Sequence, residues 1–224
     1  MSYKKLMDSP LIKLQQLQCI RDERILFTGL NFDFCAGDIV QIEGPNGSGK
    51  TTLLRVINTT SNDYSGEFHW QDRPISEGKF DYLYDLLFIG HLTGIKKSLT
   101  TRENLQWYMK MAGDRNCCSV EQALEKVGLA GYEDVSCYQL SAGQQRRVAL
   151  ARLYLIKSRI WILDEPFTAL DKSGVTELER LFVQHAREGG LVILTTHQDL
   201  SIEPLQKLNL TDFQPQASDD DWDF

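Results

Sequence analysis

Eight consecutive residues, Gly44-Pro45-Asn46-Gly47-Ser48-Gly49-Lys50-Thr51, have types and spacing suited to holding a chain of phosphates. The glycines let backbone N–H groups turn inward around an anion, and a helix starting at the end of the run adds the positive end of its dipole. Lys50 can reach the β- and γ-phosphates of a nucleotide and the Thr51 hydroxyl can ligate Mg²⁺, provided that a strand precedes the run and a helix follows it. Both flanks agree, since Asp38-Ile39-Val40-Gln41-Ile42-Glu43 reads as a strand and Thr51 to Asn58 as a helix. The bland alternative is a glycine turn with an exposed lysine, and the two flanks weigh against it.

A second group lies at Ile160-Trp161-Ile162-Leu163-Asp164-Glu165, an apolar strand that delivers two carboxylates at its C-terminal end, where open α/β sheets bind ligands. Asp164 would hold Mg²⁺, directly or through water, and Glu165 would act on an attacking water as general base. Many strands end in acidic residues, so this pair carries weight only beside the phosphate loop. A third group, Leu140-Ser141-Ala142-Gly143-Gln144, stands at a helix N-terminus, where Ser141 and the Gly143 N–H can bind an anion. An ordinary helix cap would account for Ser141 alone.

The elements that must position these groups follow from periodicity and caps. Leu11 to Leu17 and Asn31 to Phe34 alternate like half-buried strands, and Leu86 to Ile89 is a short apolar strand. Thr100-x-x-Glu103 and Ser119-x-x-Gln122 are capping boxes for helices reaching about Ala112 and Val127, the second stopped by Gly128. A helix from Gln144 to about Ile156 leads into the Ile160 strand. Another, from Gly174 to Arg187, is stopped by Gly189-Gly190 and leads into the strand Leu191-Val192-Ile193-Leu194. Strands buried on both faces and separated by helices make a parallel sheet of the α/β class.

The 224 residues carry a formal charge of −7, and five aspartates (Asp212, Asp219, Asp220, Asp221, Asp223) follow the last basic residue, Lys207. The body is thus close to neutral, without the basic excess that binding many nucleic-acid phosphates requires, and nucleic acid is not an expected partner. Five cysteines without C-x-x-C spacing fit reduced thiols. No apolar run is long enough to span a bilayer, and Cys117-Cys118 read as a plain turn before a helix cap.

The string Leu-Ser-Ala-Gly-Gln-Gln-Arg-Arg-Val-Ala-Leu-Ala-Arg from Leu140 resembles the signature of the ATP-binding cassette (ABC) ATPases, and the resemblance extends from Leu11 to about Phe213. It implies one ABC ATP-binding domain over residues 1–213: a P-loop NTPase cassette with a RecA-like core, an antiparallel β subdomain and a helical signature subdomain at about 92–156. Residues 214–224 are then an acidic tail, expected to be disordered. The cofactors implied are ATP and Mg²⁺, with Thr52 and Gln144 added to the nucleotide-binding residues. His197 takes the position of the switch histidine on the γ-phosphate, and Asp171, after Ala169-Leu170, that of the residue facing a neighbouring subunit. Two copies would close head to tail over nucleotide.

Two positions depart from the family pattern. Gly90-His91-Leu92-Thr93-Gly94 puts His91 where a glutamine usually touches metal and nucleophilic water; neutral imidazole can accept such a bond, or the ring is a loop histidine turned outward. Arg21-Asp22-Glu23-Arg24 stands where many relatives stack an aromatic ring on adenine. With Trp-Ile-Leu-Asp-Glu-Pro-Phe-Thr-Ala-Leu-Asp, these departures resemble the haem-exporter ATPase subunits of bacterial cytochrome c maturation. That resemblance implies a peripheral ATPase on the cytoplasmic face of the inner membrane, bound to the membrane subunits CcmB and CcmC, whose hydrolysis drives release of a haem-loaded periplasmic chaperone. No Cys-x-x-Cys-His occurs, so haem bound directly to this chain is not expected. A small exporter ATPase with another cargo is the alternative. A GTPase switch lacks its Asn-Lys-x-Asp here, and an ABC protein acting on ribosomes or DNA typically has two cassettes or long coiled coils.

Overall fold

Alternating apolar residues build Ile12–Arg21 (β1) and Arg24–Phe34 (β2) into an antiparallel hairpin. Its turn residues Asp22 and Glu23 sit at φ 50° and 64°, the two-residue geometry whose twist matches paired strands. Both strands run past the limits that alternation predicts, because β1 bulges at Gln16 (φ 50°), where Asn31 Oδ1 accepts the Gln16 N–H at 2.9 Å. A bulge shifts the period of two by one residue, and pairing resumes beyond it through Cys19 with Phe27 and Ile20 with Ile25.

The computed structural model describes residues 10–215, which fall into two compact units. One takes in residues up to 35, 42–79 and those from 207 on; the other holds 36–41 and 80–206. Ile39–Glu43 (β3) runs through the boundary, and Lys50–Ile57 (α1) lies in the first unit with Ser65–Trp70 (β4) and Arg73–Pro74 (β5). There the antiparallel sheet has the order β2-β1-β4-β5, and α1 buries Leu53, Leu54, Val56 and Ile57. Ile75–Asp85 (α2) leads from one unit into the next; it buries Tyr82 but leaves Phe80 90% exposed on the other face, so periodicity alone did not disclose it.

In the second unit, Leu86–Ile89 (β6) begins a run of helices: Thr101–Ala112 (α3), Val120–Lys126 (α4), Ala142–Leu150 (α5) and Arg152–Leu155 (α6). Thr100 and Ser119 each start one with a reciprocal capping box, as their spacing predicts, and Ser141 starts α5 with a third. The helix expected from Gln144 to Ile156 is divided at Ala151. Ile160–Asp164 (β7), Lys172–Arg187 (α7), Leu191–Thr195 (β8) and Gln206–Asn209 (β9) complete the chain. The five-stranded sheet runs β6-β7-β8-β3-β9, with β6, β7 and β8 parallel. Every residue of β7 and β8 is buried, as a sheet covered on both faces demands. The expected tail lies outside the described residues apart from Gln214 and Pro215.

Candidate active site

The phosphate loop is shaped by its backbone. Gly44, Gly47 and Gly49 take φ of 145°, 83° and 101°, a region that side chains rarely tolerate. At Gly49 a Cβ would also stand 3.1 Å from the Phe27 ring, so β2 holds the loop close. Gly49 caps α1 without a side-chain bond, which leaves the first N–H groups of the helix for a ligand. Lys50 Nζ donates to the carbonyls of Gly44 (2.6 Å) and Pro45 (3.1 Å), spanning the loop from end to end. The Ser48 hydroxyl is buried without a hydrogen-bond partner, while Pro45, Asn46 and Thr51 are exposed and Thr52 half-buried.

The second unit assembles the carboxylates. Asp164, at the end of β7, is buried and accepts the Thr195 hydroxyl proton on Oδ1 at 2.7 Å. The next peptide N–H, of Glu165, donates to both the carbonyl and the hydroxyl oxygen of Thr195, each at 3.1 Å. Glu165 takes φ 51°, a left-handed backbone that costs a non-glycine residue about 1 kcal/mol or more and persists only where surroundings over-determine it. His197 Nε2 stands 3.6 Å from Glu165 Oε1 and remains 64% exposed.

What over-determines the turn is Arg146, from α5. The residue is 3% exposed, and its guanidinium donates to the carbonyls of Asp164 (2.9 Å), Glu165 (2.7 Å), Pro166 (3.2 Å) and Gly90 (2.9 Å). Burial pulls its pKa down to about 10, against the pull of Asp164, so it stays cationic at neutral pH. Arg152, buried in α6, donates to the Phe88 carbonyl at 3.0 Å and lies over the Tyr108 ring, whose hydroxyl donates to the Gly94 carbonyl at 2.9 Å. The 88–94 segment that carries exposed His91 is therefore gripped at three carbonyls.

Ser141 Oγ accepts the Gln144 N–H at 3.2 Å while Gln144 Oε1 accepts the Ser141 N–H at 2.9 Å. A Cβ on Gly143 would come within 2.5 Å of the Ala169 carbonyl, so this glycine also lets α5 approach the loop after the carboxylates. Asp171 caps α7, accepting from the Gly174 N–H and the Ser173 hydroxyl at 3.1 Å and pairing with Arg147 at 2.5 Å. The Gly174 N–H, Ser173 and Arg147 together hold its carboxyl below the usual range. Its oxygens are thus already engaged within the chain.

The structure brings Asp164, Glu165 and His197 together, and joins them through Arg146 to the His91 loop. Arg146, Arg152, Arg147 and Thr195 were not among the residues predicted from the sequence. A signal existed, because Arg146, Leu150 and Leu153 fall at helical spacing on one buried face, where a charge needs a partner. Among the described residues no cluster of three or more His, Cys, Asp or Glu could cage a metal. Mg²⁺ commonly needs only one or two carboxylates beside substrate phosphates, and Thr51 in the first unit and Asp164 in the second each offer a hard oxygen of that kind.

The ABC transporter family's sequence profile matches residues 27–168, and the chain belongs to that family: it is an ABC-type nucleotide hydrolase that hydrolyses ATP. It is 49% identical over 211 residues to the "Cytochrome c biogenesis ATP-binding export protein CcmA" of Saccharophagus degradans, covering 90% of this chain and 94% of that one. The protein of the same name from Vibrio cholerae is 54% identical over 205 residues, covering 90% and 99%. Among solved structures, an ABC transporter ATP-binding protein from Pyrococcus furiosus superposes with TM-score 0.78 at 24% identity, over 91% of this chain and 99% of that one. A dimeric bacterial ABC transporter cassette does so with TM-score 0.73 at 25% identity, over 89% and 94%.

Proposed function

We propose that this chain is the ATP-hydrolysing subunit of a bacterial inner-membrane ABC complex for cytochrome c maturation, where hydrolysis drives haem handling and release of a haem-loaded periplasmic chaperone. The observation that carries this reading is identity near one half, over about nine-tenths of the chain, with proteins named for cytochrome c biogenesis. In it, Lys50, the loop backbone at Pro45 and the N–H groups of Gly44 and Asn46 to Thr52 hold the ATP phosphates; Thr51 and Asp164 would hold Mg²⁺, which would neutralise phosphate charge. Glu165 takes a proton from the attacking water, and His197 and His91 orient the γ-phosphate and that water. Ser141, Gly143, Gln144 and Asp171 serve a second copy of the chain, in a nucleotide-dependent homodimer.

No described helix is long and apolar enough to cross a membrane. Leu92, Trp107 and Met111 are exposed on the His91 loop and α3, where Lys96 lies over the Trp107 ring, and an apolar patch of this kind suits a protein partner. In our reading this chain docks on the membrane subunits CcmB and CcmC from the cytoplasmic face of the inner membrane, with this surface toward them. The test is co-purification from detergent-solubilised membranes with mass-spectrometric identification, beside the cellular content of c-type cytochromes in a Glu165→Gln strain. Recovery of a different permease with unchanged cytochromes would assign another cargo.

A further inference from the structure

A guanidinium whose side-chain hydrogen bonds, among the described residues, all run to main-chain carbonyls is placed to fix backbone rather than to neutralise one acid. Arg146 does this for two separate segments at once. Nε and one terminal nitrogen span the three consecutive carbonyls of Asp164, Glu165 and Pro166, and the other terminal nitrogen takes the carbonyl of Gly90, beside His91. The five N–H donors of arginine lie in one rigid plane. If Gly90 moves by an ångström, the plane must turn or one bond must break, and either disturbs the residue whose left-handed backbone that plane supports.

We propose that Arg146 is a positioning residue for ATP hydrolysis, holding the Glu165 carboxylate in its hydrolytic orientation only while the Gly90 carbonyl rests on the same guanidinium. The loop carrying His91 then sets the rate through main-chain geometry, in addition to anything the imidazole does. Charge contributes as well, because the buried cation lies beside two carboxylates that must stay ionised. The geometric part is separable from the electrostatic part: lysine keeps the charge, yet one ammonium cannot reach four carbonyls on two segments. A merely structural staple would behave differently, since its loss would lower stability and nucleotide affinity together.

The proposal rests on the reading of Glu165 as the base, and the experiment separates the two. The purified chain and its Arg146→Gln, Arg146→Lys, Gly90→Ala and Glu165→Gln variants are compared in steady-state MgATP hydrolysis, equilibrium ATP binding and thermal melting. Misplacing a catalytic group by about an ångström typically costs up to 100-fold, so Arg146→Gln should lose about 10- to 100-fold in kcat, with KM and ATP affinity changed by less than about threefold. Arg146→Lys keeps the buried charge but leaves carbonyls unpaired, so it should melt below wild type yet stay folded at the assay temperature and recover little of that kcat, which keeps the proposal testable if the glutamine variant folds poorly. In Gly90→Ala the new methyl meets the Phe88 ring at 3.1 Å, so ring or backbone must give by a few tenths of an ångström beside the bridging carbonyl, and kcat should fall at least about threefold with KM unchanged. Full kcat in Arg146→Gln or in Arg146→Lys overturns the proposal, and full kcat in Gly90→Ala overturns the link between the segments. If Glu165→Gln hydrolyses ATP normally, the base assignment fails instead.

Discussion

In the phosphate loop the chain positions its chemistry with its own backbone, whereas at the carboxylate turn three distant segments do so with side chains and a borrowed carbonyl. Residues 44–51 need glycines at positive φ, one lysine that reaches back across the loop, and a helix without a side-chain cap. Residues 164–166 need Thr195 from the neighbouring strand, Arg146 from α5, and through Arg146 a tie to Gly90. A site built by local backbone is insensitive to changes elsewhere; a site held by remote side chains feels each of its holders. Binding of phosphate should therefore survive distant substitutions that hydrolysis does not.

The variant expected to separate the two regions furthest is Glu165→Gln. It removes the proton acceptor with little change of shape, so hydrolysis should fall about 10²- to 10⁴-fold while ATP binding, measured by equilibrium dialysis, stays within a few-fold of wild type. Parallel loss of both would mean that the regions are not independent. Lys50→Ala is the converse: the phosphates lose their fixed counter-charge, which should cost about 10²- to 10³-fold in turnover and abolish tight binding. Near-normal affinity in a calorimetric titration would remove the loop from the binding role.

Thr195→Val tests the side-chain support more gently. It deletes the hydroxyl that donates to Asp164 and accepts from Glu165 and leaves a buried carboxylate under-satisfied, at a cost of about 1 to 3 kcal/mol in stability. The denaturation midpoint should drop accordingly and kcat should fall with it, while ATP affinity holds. The smallest effect belongs to His185, outside both regions, stacked on Trp161 with ring centroids 3.6 Å apart. Burial lowers its pKa to about 4, whereas the unfolded chain protonates near 6.5. Its stabilising contribution is thus present above pH 6.5 and lost as pH falls from 6.5 through 4. Linkage puts the loss at about 1 to 3 kcal/mol. Melting temperature should decline more steeply over that range in wild type than in His185→Gln, and equal slopes would contradict the assignment. The comparison also separates acid loss of the fold from acid loss of the site.

The same contrast explains what could be read from sequence. The phosphate loop, the capping boxes at Thr100 and Ser119 and the two fully buried strands are local patterns, so their residues disclose them. The bulge at Gln16 is a pairing property, visible only once Asn31 and the strand opposite are in place, and it hid the length of β1 and β2. Helix α2 turns Tyr82 inward and leaves Phe80 exposed on the opposite face, so its apolar residues do not share one stripe and periodicity gave no clear sign of it. Asp164 and Glu165 were legible as a pair at a strand end, but their holders, Arg146 and Thr195, lie 18 and 30 residues from the groups they hold. No spacing rule connects them. A charged residue on a buried helical face was the one clue, and it says that a partner exists without saying which.

In our reading of the signature, Ser141 serves two purposes with different parts of one oxygen: it caps the helix, and it donates to a phosphate. The start of α5 consumes a lone pair, through the Gln144 N–H, and leaves the hydroxyl proton pointing wherever an acceptor stands. A helix start is indifferent among serine, threonine, aspartate and asparagine. An approaching phosphate is not, because aspartate meets it with a second negative charge and asparagine offers an amide of different reach. Only an alcohol passes both filters, so the set of side chains this position tolerates is narrower than helix stability alone would set. A substitution series there would read the anion's demand separately from the helix's.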